Sequence, residues 1–191
     1  AASPILAGRH IYLTGGDGLT LVMVAVQAGR RVCPGWFERL TDSRLFGGAA
    51  GAAGGFATML AHLHQAGFQV RIANLAARMV RSARFDPDSF IKGLRARAFG
   101  IDLHWLPHAH GALEVAGRIK QYPPEAKVIL GGYSATYFHE ELIRYPFVDF
   151  VIRGDSAEEP LRQLMAHLTG KRSAPALKDI PNLTWKDRSG E

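Results

Sequence analysis

Three short segments of the chain combine residue types that can hold a ligand. One joins two glycines, which let a backbone approach a ligand closely, to an aromatic ring and a hydroxyl. A second presents an imidazole, a good ligand for transition metals, beside two large apolar side chains. A third places a cation and a carboxylate on either side of a glycine. The candidate binding residues are Gly131, Gly132, Tyr133 and Ser134 in the first segment, His104, Trp105 and Leu106 in the second, and Arg153, Gly154 and Asp155 in the third.

Each segment also has a purely structural interpretation. The two glycines could form a strand-to-helix turn in which Ser134 or Thr136 caps the helix. The acidic residues that follow Asp155 favour a helix N-terminus through the helix dipole. Histidines at positions 104, 108 and 110 could bind zinc, but no cysteine or glutamate at zinc-site spacing completes the ligand set.

The hydrophobic pattern predicts where these segments lie. Predicted strands cover residues 9–14, 68–72, 98–105, 127–130 and 147–152, and helical patterns separate the later ones. The last helix has the clearest pattern, with a capping box from Ser156 to Glu159 and a terminal Gly170. Strands that alternate with helices pair in parallel, so the sequence predicts an α/β fold with a five-stranded parallel sheet. Ligands bind such sheets beyond the carboxyl ends of the strands, where we expect all three segments.

Composition limits the class of protein. The 191 residues are 47% hydrophobic and 21% charged, as in soluble globular domains. No apolar run is long enough for a membrane span, and the first residues lack the order of a secretion signal, which predicts a cytoplasmic protein. The single cysteine, Cys33, excludes an iron–sulfur cluster held by these residues alone. No nucleophile elbow, phosphate loop or catalytic carboxylate pair is present, which indicates a binding module.

The net charge of +6 comes from the first half of the chain. A basic stretch there could be a solvated helix face, or it could meet a phosphate-bearing ligand or an acidic partner. Neither an aromatic RNA-binding signature nor zinc-finger spacing accompanies it, which disfavours nucleic acid. The basic residues are Arg71, Arg78, Arg81, Arg84, Lys92, Arg95 and Arg97.

Three longer segments carry a resemblance to a known family. In order and spacing, FGIDLHWLPHAHG, KVILGGYSATYFHEELI and VDFVIRGDSAEEPLRQL resemble the cobalamin-binding domain at the N-terminus of cobalamin-dependent radical S-adenosylmethionine (SAM) proteins. The likeness covers residues 56–185. It implies a flavodoxin-like (Rossmann-like) three-layer sandwich with cobalamin across the carboxyl edge of the sheet, near the three segments described above.

The resemblance also implies which parts of the protein form which domain. Residues 1–170 would form the cobalamin-binding domain, with residues 15–55 an unassigned loop region in which 19–29 could be a strand or a short helix. Residues 171–191 would form a linker and short strand leading to a radical SAM domain of the same polypeptide. SAM and the iron–sulfur cluster would bind there, because the three-cysteine motif is missing from this chain. This chain alone would bind cobalamin without catalysing a reaction.

His104 is a candidate lower ligand of the cobalt ion. Related methyl-transferring proteins ligate cobalt with Asp-x-His-x-x-Gly, whereas here Asp102 and His104 are followed by glycine only at Gly111. A cofactor bound without any protein ligand therefore fits the pattern equally well.

Two other classes of protein remain as alternatives. A flavodoxin-like or receiver-like module would hold a nucleotide or a phosphate at the same strand ends. A receiver, however, needs an acidic cluster at the end of its first strand, where only Asp17 is available. An interaction domain would use the basic stretch and bind its partner less tightly as salt increases.

Overall fold

A computed structural model describes most of the second half of the chain and parts of the first. The described residues are 5–7, 10–12, 21–25, 58–75, 78, 82, 84–94, 96–122 and 124–186. Within these ranges, no helix has the length and apolar character needed to cross a membrane.

The described strands form two sheets. A small antiparallel sheet pairs β1 (Ile5–Ala7) with β2 (His10–Tyr12). The larger sheet has six strands in the order β4-β3-β5-β6-β7-β8. These are β3 (Leu21–Ala25), β4 (Val70–Asn74), β5 (Ala98–Asp102), β6 (Lys127–Gly131), β7 (Phe150–Ile152) and β8 (Leu183–Trp185).

The α/β class is confirmed, but the prediction of a wholly parallel five-stranded sheet is corrected. The sheet is mixed, because β8 pairs antiparallel with β7 while the other pairings are parallel. The physical reason lies in the segment before β8. It returns to the carboxyl end of β7, where the backbone N–H of Arg153 donates to the carbonyl of Asn182 at 2.9 Å. The chain then runs down beside β7 and needs no further crossover helix.

The first strand of the large sheet is also not the predicted one. Residues 10–12 lie in the small sheet, and the large sheet begins with Leu21–Ala25. This strand lies within residues 19–29, where the sequence pattern fits either a strand or a short helix. This run of apolar residues suits a strand that has a neighbour on each side. Because β4 and β5 lie on opposite sides of β3, the strand order reverses between β3 and β5.

Helices cover both faces of the large sheet. They are α1 (described over 58–65), α2 (Pro87–Lys92), α3 (Ala109–Gln121), α4 (Tyr133–Tyr137), α5 (His139–Ile143) and α6 (Glu158–Leu168). Alternate strand residues point to opposite faces. Val128 and Leu130 pack with α2 to α5, whereas Ile129 packs with α1 and α6.

The ends of α6 match the sequence pattern only in part. Gly170 follows the helix with a φ of 70°, as expected of a terminal glycine. The predicted capping box is wrong, because no side chain caps the first turn. Glu159 instead accepts hydrogen bonds from Arg162 at 2.6 Å and Gln163 at 2.9 Å, and it contacts His62 of α1. The bond from Arg162 is the main reason that the pKa of Glu159 falls to about 2.

Candidate functional site

The loops that follow β5 and β6 are joined through their backbones. The N–H of Leu103 donates to the carbonyl of Gly131 at 2.7 Å, and Ala135 N–H returns a bond to Leu103. The carbonyl of His104 accepts from both the N–H and the hydroxyl of Ser134, at 3.2 and 3.0 Å. The structure therefore brings the first two predicted segments together at the carboxyl edge of the sheet. Ser134 holds the neighbouring loop and does not cap the helix.

Gly132 is required where these two loops meet. Its φ is 108°, and a Cβ there would lie 2.9 Å from the Oδ1 of Asp102, the backbone nitrogen of His104 and the carbonyl carbon of Leu103. Gly131 differs, because its nearest neighbour would be the carbonyl oxygen of Ile152 at an ordinary 3.8 Å. At Gly132, the close approach that the sequence indicated is to another loop of the same chain.

The loop after β7 is tied to the same edge. Thr136 donates its hydroxyl to the carbonyl of Gly132 at 3.0 Å and accepts the N–H of Gly154 at 2.9 Å. Thr136 thus connects the third predicted segment to the first. Asp155 is exposed beside this junction.

Large apolar side chains are exposed at this edge of the sheet. Trp105 is 52% exposed, Leu106 lies in the turn after it, and Tyr133 and Tyr137 are exposed on α4. The rings form a continuous set, with centroid distances of 4.9 Å from His104 to Trp105, 6.1 Å from His104 to Tyr133 and 5.1 Å from Tyr133 to Tyr137. We call Trp105, Leu106, Tyr133 and Tyr137 the aromatic rim. Apolar side chains grouped at a strand-end crevice are typical of a binding surface.

Burial shifts the pKa values of two titratable groups near the rim. It raises the pKa of the Asp102 carboxyl, an effect that the charge of His104 partly opposes. It also lowers the pKa of His108, whose protonation the charge of His104 further disfavours. His104 itself is exposed. In the ranges that the structure describes, no group of three histidine, cysteine or acidic residues could hold a metal ion.

Arg153 carries an unusual buried atom. Its Nε is buried without a hydrogen-bond partner, the only such side-chain atom found among the described residues. A buried N–H that lacks an acceptor is costly. It therefore marks a place where a ligand could supply the missing oxygen.

Two arginines of the basic stretch lie over an aromatic ring. The guanidinium carbons of Arg71 and Arg78 lie 6.0 and 4.5 Å from the ring centroid of Phe90 in α2. Arg84, Lys92 and Arg97 are exposed, while Arg81 and Arg95 are outside the described residues. Residues 26–57, which follow β3, are outside them as well.

Sequence reasoning identified the segments that follow β5, β6 and β7 but missed some residues near them. Tyr137 was overlooked, although its spacing of four residues from Tyr133 on a helix could have indicated that the rings are neighbours. Asn182, whose carbonyl accepts the N–H of Arg153, directly precedes β8, and no pattern in the local sequence indicates this contact.

A match to a protein family identifies the class of this protein. Residues 52–164, more than half of the chain, match the family described as the B12 binding domain. The chain belongs to this family, and cobalamin, vitamin B12, is the cofactor that the family binds. No curated protein matches the chain.

Two solved structures share the fold, and both are of TsrM, a radical SAM methyltransferase from Kitasatospora setae. The structure with tryptophan substrate and a SAM analog bound is 16% identical to this chain, with a TM-score of 0.62. The matched region covers 90% of this chain and 29% of that protein chain. The structure with cobalamin and a 4Fe-4S cluster bound is also 16% identical to this chain, with a TM-score of 0.63. The matched region covers 91% of this chain and 28% of that protein chain. This chain thus spans less than a third of the length of either protein.

The residues at the carboxyl edge fit a cobalamin. The exposed rim offers a broad apolar surface to a large macrocycle, and the unpaired Nε of Arg153 offers a donor to its oxygens. Gly131 leaves space for a backbone contact, because only one atom lies within 4 Å of a Cβ placed there.

Proposed function

We propose that this domain holds cobalamin across the carboxyl edge of its sheet and presents it to a radical SAM domain of the same polypeptide. The aromatic rim is the observation that carries this proposal, since it gathers exposed apolar side chains where a doubly wound sheet binds its ligands. Within the larger sheet, the order β4-β3-β5-β6-β7 corresponds to the flavodoxin-like order 2-1-3-4-5. This order supports a flavodoxin-like, three-layer domain extended by β8.

Each part of the edge has a role in this proposal. Trp105, Leu106 and Tyr133 cover apolar surface of the cofactor and exclude water from it. Gly131 allows its polar groups to approach the backbone, Gly132 lets the loops after β5 and β6 meet, and Ser134 fixes the loop that carries His104. Gly154 and Asp155 border the same edge beside Arg153.

The chemistry of the whole protein would be divided between domains. Cobalamin supplies a cobalt centre that can carry a methyl group. The similarity of fold to TsrM supports a methyltransferase as the parent protein, with SAM and the cluster bound outside these residues. Continuation of the polypeptide with three cysteines at radical-domain spacing supports this assignment, and a parent polypeptide without such a motif contradicts it.

We propose His104 as the lower ligand of the cobalt ion. Its imidazole is exposed at the end of β5, beside the point where the strand order reverses, and ring contacts with Trp105 and Tyr133 orient it. Neutral imidazole is a common metal ligand.

Replacement of this imidazole should therefore change the cobalt coordination. We expect His104→Ala to alter the visible spectrum of bound hydroxocobalamin, because a weaker ligand such as water would take the lower position. His110→Ala is the matched control, since His110 is also exposed but lies on α3. An unaltered spectrum of the His104→Ala complex would remove the ligand role and assign a cofactor bound without a protein ligand.

A further inference from the structure

The segment from residue 71 to residue 97 carries an excess of positive charge. It contains seven basic and two acidic residues. The first acidic residue, Asp86, caps α2 by accepting hydrogen bonds from the backbone N–H groups of Asp88 and Ser89. The second, Asp88, is paired with Arg118 of α3. Two carboxylates can compensate at most two of the seven positive charges, so the segment remains strongly basic.

Several of these basic side chains surround α2. Arg84 is exposed in the turn before the helix, and Lys92 is exposed in its last turn. The guanidinium carbons of Arg71 and Arg78 lie 6.0 and 4.5 Å from the ring centroid of Phe90, which belongs to the helix. None of the ion pairs found among the described residues involves any of these four cations. We call Arg71, Arg78, Arg84 and Lys92 the basic face of α2.

The helix beneath the basic face is held firmly. Ile91 is buried in the core, and Phe90 packs against the same core with its ring centroid 5.5 Å from that of Phe85. The contacts with Phe90 also restrict the guanidinium groups of Arg71 and Arg78. The cations are therefore ordered before a partner arrives, which lowers the entropic cost of binding.

The structure around α2 favours a carboxylate-bearing partner over a nucleic acid. Single-stranded nucleic acids bind where their bases stack on exposed aromatic rings. Phe85 and Phe90 are only half-exposed, and Arg78 lies over Phe90. A DNA duplex presents its charges along an extended line, whereas α2 has six residues and is about 9 Å long. An acidic patch on a protein matches this short basic surface better.

We infer that the basic face of α2 docks a separate protein through a patch of aspartate and glutamate side chains. Three of its four cations are arginines, which form paired hydrogen bonds with carboxylates. Arg71 lies on β4, and β4 and β8 are the two outer strands of the large sheet. The basic face is therefore at the opposite edge from β8, where the chain leaves the sheet. This inference goes beyond the proposed function and does not require a bound cofactor.

Poly-L-glutamate is the probe for a carboxylate-bearing partner. We would measure its binding to the wild-type protein and to a triple variant by fluorescence anisotropy. At about 0.15 M salt, charges more than about 8 Å apart are largely screened. We expect the triple variant to bind about 5- to 100-fold more weakly, because each exposed charge pair contributes a modest share of the affinity. It combines Arg78→Gln, Arg84→Gln and Lys92→Gln.

The control removes the same number of charges from other surfaces. It combines Arg144→Gln, Arg172→Gln and Lys178→Gln, at exposed residues outside the basic segment. We expect its affinity for poly-L-glutamate to fall by less than about 3-fold. Equal losses for the two triple variants would show that only net charge matters, and would overturn the inference.

Two results with the wild-type protein would also overturn it. The first is a failure to bind poly-L-glutamate at about 0.15 M salt. The second is tighter binding of a DNA duplex that carries the same number of charges, which would assign the basic face to nucleic acid instead.

A nuclear magnetic resonance titration of the wild-type protein needs no variant to fold. We expect poly-L-glutamate to shift the backbone amide resonances of residues 84–92. Salt at about 1 M should reverse these shifts, because it screens charges beyond about 3 Å. Binding that leaves these resonances unshifted would place the contact elsewhere and contradict the inference.

Discussion

Gly132→Ala should destabilise the domain by about 2–6 kcal/mol and abolish cobalamin binding. The estimate combines the cost of a side chain in a positive-φ conformation with that of overpacking, each about 1–3 kcal/mol. The added Cβ would meet backbone atoms of residues 103 and 104 at 2.9 Å, and these cannot move aside as the end of a flexible side chain can. The loops after β5 and β6 would have to separate, which would displace His104 and Trp105.

The adjacent glycine provides the control for this prediction. A Cβ at Gly131 would meet only the carbonyl oxygen of Ile152, at 3.8 Å. Gly131→Ala should therefore change the free energy of unfolding by less than about 1 kcal/mol. Chemical denaturation of both variants measures the difference. Equal free energies of unfolding for the two variants would contradict the assigned contact between the loops.

Trp105→Ala should weaken cobalamin binding by about 10- to 50-fold and destabilise the free domain by at most about 2.5 kcal/mol. The ring is 52% exposed, so about 100 Å² of its surface is available for a ligand to cover. At about 25 cal/mol per Å², complete coverage would contribute at most about 2.5 kcal/mol. The other half of the ring is already covered in the free domain, so its removal should also lower the free energy of unfolding, by at most about 2.5 kcal/mol.

Tyr145→Ala is the matched control for Trp105→Ala. Tyr145 is 41% exposed, but it precedes β7 and its carbonyl accepts a bond from Lys186 at 2.6 Å, at the amino end of the strands. Titration with hydroxocobalamin should give the same affinity for Tyr145→Ala as for the wild type. If Tyr145→Ala weakens binding as much as Trp105→Ala does, the aromatic rim is not the binding surface.

Hydrophobic periodicity was enough to predict the elements whose burial follows a regular pattern. In β6, Val128 and Leu130 face one helical layer and Ile129 the other, while Leu161, Leu164 and Met165 bury one face of α6. Such patterns are local in sequence. Because parallel strands end at the same edge, these patterns were also enough to predict where the candidate segments lie.

Other features depend on contacts between distant residues. The direction of β8 is set by the return of the chain to Asn182, beside Arg153. The carboxylate of Glu159 contacts His62 of α1, which lies 97 residues away in the sequence. Likewise, the need for glycine at position 132 comes from residues 102–104, on a different strand. None of these contacts leaves a signal in the local sequence.

Binding of cobalamin to the purified domain tests the central claim most directly. The protein would be mixed with hydroxocobalamin, separated from free cofactor by gel filtration, and examined by visible absorbance. We predict a coloured protein fraction that contains about one corrinoid per chain. A colourless fraction from folded protein would contradict the assignment of the carboxyl edge as a cobalamin site.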